Sequence, residues 1–150
     1  MATKLKRVRA EKDRAFGQDK LSLMKQERSI LEEEIKTLKE KQTQLEKDKK
    51  RRYDDIKGYG YAIDPNTGEI TNSNEVYDNM LEIYKNGRAE AGTDEDALKF
   101  WEDWWQDFED KTSRYRDVVN DAESTAEEIF DKTEELLDLD YEELEYTIEI

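Results

Sequence analysis

An uncharged stripe runs through the most acidic part of this chain. From Trp101, alternating steps of four and three residues reach Trp105, Phe108, Thr112, Tyr115, Val119, Ala122, Ala126, Ile129, Thr133 and Leu136. Every member is apolar, aromatic or Thr, although Asp and Glu crowd the residues between them. A repeat of 3.5 residues sustained over about five heptads is the pattern of a coiled-coil seam. The first part of the chain carries a fainter version. There Met24, Leu31, Leu38 and Leu45 recur at seven, Ile35 adds a partial second row, and Leu5 and Val8 continue an apolar edge.

Composition alone is ambiguous. Leu, Ile, Val and Phe make up only 29 of 150 residues and the net charge is −15, which together favour disorder. Yet Ala, Glu, Lys, Leu and Arg make up 69 residues, the composition of long helices. The stripe decides between them, because a disordered chain has no reason to keep charge off one helical face. Cys and His are both absent. That excludes thiol chemistry, disulfide frameworks, His-bearing zinc sites and Ser-His-Asp triads. No apolar run approaches the ~20 residues of a membrane span. The basic N-terminus has no apolar stretch behind it, so no signal peptide is expected.

The expected fold is mainly α, an elongated antiparallel helical hairpin with a small β-hairpin and a short helix at the turn. Residues 1–57 read as a basic arm, helical from 3 to 57. Its one Gly, Gly17, costs about 1 kcal/mol against Ala and need not break it. Residues 58–93 read as the turn region. Tyr59–Asp64 and Gly68–Asn72 would pair across Pro65-Asn66-Thr67, with Asn72 or Ser73 capping a helix that stops near Asn86-Gly87. With Asn72 as the cap, Glu75 would complete a capping box. Residues 94–137 read as an acidic arm capped by Thr93 or Asp94, and 138–150 as an acidic tail with an edge strand over 144–150.

Residues 1–57 carry a net +6 and residues 58–150 a net −21. Antiparallel folding would set these against each other, with Lys4, Lys6, Arg7 and Arg9 near the acidic tail. It would also place Trp101 near Leu31 to Leu38.

Trp101, Trp104, Trp105 and Phe108 form the most unusual patch. With Tyr115, Val119, Ile129 and Leu136 they are the candidate partner or packing seam. Trp and Tyr dominate binding hot spots, but residues on a seam are more often core. Trp104 lies off the strict seam and is the better candidate for contact with the short helix or another chain. Asp64, Asn66, Gly68, Ile70, Asn72 and Glu75 fall at ligand positions of an EF-hand count. The glycine required at position 6 is Glu69, so calcium is not expected. No cofactor, metal or small-molecule substrate is expected, and no catalytic constellation is evident. The overall charge would repel nucleic acid.

The order of segments carries a resemblance. A charged arm runs into Lys57-Gly58-Tyr59-Gly60-Tyr61, then "AIDPNTGEITN", "EVYDNMLEIYKNG" and "DALKFWEDWWQDFEDKTSRYRDVVNDAESTAEEI". Over residues 30–137 this resembles internal coiled-coil segments of tail tape-measure proteins of long-tailed bacteriophages. The resemblance implies a non-enzymatic virion component acting as a spacer or assembly element. Its partners would be itself or other virion structural proteins, and its location the virion or the cytoplasm of an infected bacterium. The other reading of the residues is an acidic adaptor or inhibitor that presents the Trp patch or the acidic helix to a protein partner.

Overall fold

A computed structural model describes the backbone of residues 2–149 and the side chains of residues 3–149. The protein is mainly helical, with 88% of the described residues in helix. Among the described residues the long elements are α1 (Ala2–Arg14), α2 (Gly17–Ile56), α3 (Ser73–Ala91) and α4 (Glu95–Glu149). Two compact units form: Met1–Thr43 with Ser124–Ile150, and Gln44–Glu123.

The first unit is a three-helix bundle. The single helix expected over residues 3–57 is broken, because Gly17 takes a left-handed φ of 58° and the chain reverses there. Glycine adopts that conformation without the Cβ penalty. Reversal lets Leu5 pack against Met24, Leu31 and Leu139, burying an apolar edge that a straight helix would leave in water. Ion pairs define the directions. Arg28 meets Asp140 and Glu143, and Lys132 meets Glu34 at 2.6 Å, so α4 runs antiparallel to α2. Arg9 meets Glu135 at 3.2 Å and Lys12 meets Glu142 at 3.2 Å, so α1 runs parallel to α4. The Gly17 N–H donates to the Tyr146 hydroxyl at 2.7 Å, which fixes the bend to α4.

These contacts bear on three expectations. Residues 138–149 are helix rather than tail, and the edge strand over 144–150 does not form; Ile150 lies outside the described residues. The basic start meets the acidic helix through Arg9 and Lys12, at Glu135 and Glu142. Leu31 faces Leu139 and Glu34 faces Lys132 within the first unit, whereas Trp101 belongs to the second.

In the second unit, a 3-10 turn over Lys57–Tyr59 follows α2 and ends at Gly60, whose φ is 90°. The expected β-hairpin is reduced to one antiparallel bridge, Ile63 to Ile70, and no strand forms among the described residues. The Asn72 side chain explains why. Its Oδ1 accepts the Ala62 N–H at 2.6 Å and its Nδ2 donates to the Gly60 carbonyl at 3.1 Å. A side chain thus takes the place where a backbone ladder would continue. For the same reason Asn72 precedes α3 without capping it through its side chain, and the capping box does not form. Asp94 does cap α4, accepting the N–H groups of Asp96 and Ala97 at 3.1 and 3.3 Å.

α3 continues past Asn86-Gly87 to Ala91, beyond its expected end. Gly87 sits inside it because the Trp101 indole occupies the space where a Cβ would be. A helix-interior Gly→Ala change ordinarily gains about 1 kcal/mol. Here Gly87→Ala is expected to lower stability by about 1–3 kcal/mol, the usual range for overpacking. A denaturant melt in which Gly87→Ala is more stable than wild type would contradict this packing.

Candidate functional site

The aromatic patch singled out by the sequence is the core of the second unit. Phe108 is buried with Val76 and Met80 of α3, and Tyr59, Tyr61, Trp104 and Trp105 pack around them. Aromatic pairs order the cluster. The Phe108 ring meets Tyr59 edge-on at 5.1 Å and stacks with Tyr61 at 6.4 Å. Trp105 contacts Tyr77 at 5.4 Å and Tyr84 at 5.2 Å, both from α3. Edge-to-face and offset pairs of this kind add about 0.5–1.5 kcal/mol each beyond the area they bury. Trp101 meets Trp104 edge-on at 5.2 Å and lies over Gly87.

One turn along α4 the core becomes partly polar. The Thr112 hydroxyl is within 2.9 Å of the Tyr61 hydroxyl. Tyr115 is buried with Ile56 and Val119, while Tyr59, Tyr61, Ile63 and Ile70 close over them. The Tyr115 hydroxyl donates to the Gly68 carbonyl at 2.5 Å. Gly68 itself sits at a φ of 80°, and its N–H donates to the Asp64 carbonyl at 2.8 Å. Asp64 Oδ1 accepts the Asn66 N–H at 2.8 Å. Asp64 and Asn72, counted as possible calcium ligands, therefore hold the turn together.

Two phenols of this core differ from ordinary tyrosine. Burial pushes both Tyr59 and Tyr115 up, with Lys111 opposing the shift at Tyr59. A raised folded value means the folded state holds the proton more tightly. The resulting stability is complete below the ordinary tyrosine range, near pH 10. It is lost as pH rises through the folded values. In a titration followed at 295 nm, Tyr59 and Tyr115 should ionise late, together with the loss of helical signal. Ionisation of Tyr59 and Tyr115 near pH 10 with the fold intact would contradict their place in this core.

The candidate residues divide between the units. Trp101, Trp104, Trp105, Phe108, Tyr115 and Val119 come together in the second. Ile129 and Leu136 lie in the first, where Leu136 packs against the Leu5–Met24–Leu31–Leu139 cluster. The seam also shifts. It holds from Phe108 through Ala122, then steps by three to Thr125, which is only 1% exposed. From there it continues through Ile129, Lys132, Leu136 and Leu139, leaving Ala126 and Thr133 exposed. Two successive steps of three are a local change of heptad phase.

Tyr84 was expected on the short helix, but Tyr77, the Asn72 side-chain bridge and the burial of Lys12, Glu27 and Glu34 were not. A visible signal existed for Tyr77, since Tyr77 and Tyr84 are one heptad apart on the helix following the Tyr-rich segment.

The fold is thus mainly helical, with an aromatic core in one unit and an ion-paired bundle in the other. No family model, curated protein or solved structure matches this chain.

Proposed function

We propose that the chain is a non-enzymatic structural protein of a bacteriophage virion, a tape-measure-like spacer or assembly element of the tail. The observation that carries this reading is the use of its most interactive side chains. Trp105, Phe108 and Tyr115 pack internally, and the buried charges Lys12, Glu27 and Glu34 are paired across helices. Such a chain keeps helices in fixed register, which is what a spacer requires. The segment order from Tyr59 to Ile129, with its resemblance to tape-measure segments, points to a phage tail as the setting.

Purified particles from a culture producing the phage test the reading. Mass spectrometry should find the chain at constant ratio to the major tail protein, and antibody labelling should mark the tail. Its absence from particles, with recovery only in the soluble lysate, would overturn the assignment. The extended helical hairpin that accompanies this reading is tested by small-angle scattering on the isolated protein.

A further inference from the structure

The C-terminal part of α4 carries a second apolar stripe that the bundle does not use. Phe130, Leu137, Tyr141, Leu144 and Ile148 are 62%, 54%, 68%, 59% and 77% exposed. Thr133 is exposed between the first two. The spacing of three and four residues places all six on one helical face. The packed positions of the same segment, buried Leu139 and half-buried Leu136 and Tyr146, face α1 and α2 from a different side. Isolated exposed hydrophobes are ordinary, but a continuous stripe of five large ones over 19 residues marks an interaction surface. At 1.5 Å per residue it runs for about 27 Å.

The charge beside the stripe selects what covers it. Each stripe residue is followed by an acidic one: Asp131, Glu134, Asp138, Glu142, Glu145 and Glu149. All six are exposed. Residues 130–149 hold nine acidic side chains and one basic, Lys132, which is already engaged by Glu34. Of the acidic edge, Glu142 pairs with Lys12 inside the bundle. A second copy presenting the same face would bring two carboxylate rows together, and like charges flanking a helical seam repel. A helix with basic flanks would neutralise them.

We propose that this face of α4 binds a basic amphipathic helix of a partner protein, with apolar residues at heptad spacing and Lys or Arg beside them. Its apolar residues would pack on Leu137, Tyr141 and Leu144, and its cations would meet Asp131, Glu134, Asp138 and Glu145. This is helix-on-helix recognition, in which apolar anchors supply affinity and flanking charge selects the partner. It holds whether or not the protein is part of a virion.

The probe is a fluorescein-labelled synthetic 21-residue peptide with Leu at heptad a and d positions and Lys or Arg at e and g. It is titrated with the full chain in fluorescence anisotropy. A scrambled peptide of the same composition separates amphipathic docking from simple charge attraction. Two doubly substituted chains, Leu137→Ser with Leu144→Ser and Phe130→Ser with Tyr141→Ser, remove exposed side chains only, and circular dichroism verifies their helix content. The ordered peptide should bind at least tenfold tighter than the scrambled one, and either double substitution should weaken it at least tenfold. Raising salt to 1 M, where the Debye length is about 3 Å, should weaken binding without abolishing it. Equal binding of both peptides, or affinities unchanged by the substitutions, would overturn the proposal. So would sedimentation showing a dimer that Leu137→Ser with Leu144→Ser dissociates and the peptide does not, because the occupant would then be a second copy.

Discussion

Tyr115→Ala is expected to destabilise the second unit by about 3–5 kcal/mol, the range for removing a fully buried aromatic side chain. Tyr115 is 2% exposed and joins three parts of that unit. Its ring packs with Ile56 at the end of α2 and Val119 on α4, under Ile63 and Ile70 from the turn segment. Its hydroxyl closes on the Gly68 carbonyl, which would otherwise be left buried without this donor. Tyr115→Phe keeps the ring and removes only the donor, so a smaller loss of about 1–3 kcal/mol follows. The order matters more than either value. Chemical denaturation should rank wild type above Phe and Phe above Ala. A Phe variant as stable as wild type would mean that the Gly68 carbonyl finds another donor.

The helices were legible wherever burial follows period alone. Met24, Leu31 and Ile35 are buried, as are Phe108, Tyr115, Val119 and Ala122, and all were visible as heptad positions. Legibility failed where a single residue made a choice that periodicity does not record. Gly17 could continue a helix or reverse it, and the partners found on reversal, Met24, Leu31 and Leu139 for Leu5 and Glu27 for Lys12, favour the reversal. Gly87 looked like a helix stop, yet it is a contact surface for Trp101. Asn72 looked like a cap, and its amide instead spans Gly60 and Ala62. Residues 138–149 looked like a tail because their acidic residues suggest solvent. Leu139 and Tyr146 nevertheless hold the helix on the bundle, and Arg28 answers Asp140 and Glu143. Of the candidate residues, the Trp and Phe positions on the seam were found by spacing. Their packing partners Val76, Met80 and Tyr84 lie on a different helix, and a single sequence does not record which helices meet.

Glu27→Ala is expected to cost the first unit about 3–5 kcal/mol, because it would leave a buried cation without its main partner. Glu27 is 4% exposed and Lys12 is 7% exposed, unusual positions for charged residues. The Lys12 ammonium lies 2.9 Å from Glu27 Oε2, and Arg9 Nε lies 3.1 Å from its Oε1. Burial pulls the Lys12 ammonium down, but Glu27 and then Glu142 more than offset it, so the net shift is upward. The stabilisation is therefore complete below the ordinary lysine range and is lost as pH rises through the higher folded value. After Glu27→Ala, only Glu142 remains to Lys12, and its side chain is 47% exposed. Replacing both partners, Lys12→Met with Glu27→Leu, removes the unpaired charge and should recover most of the loss, since apolar replacements of buried pairs are often neutral or stabilising. The pair also fixes how α1 slides along α2, because Leu5 reaches Met24 and Leu31 only in this register. Hydrogen exchange on α1 should consequently accelerate in Glu27→Ala and return towards wild type in the double variant. If the double variant were as unstable as Glu27→Ala, the stabilisation would lie in the packing of the Lys12 and Glu27 stems and not in compensation of a buried charge.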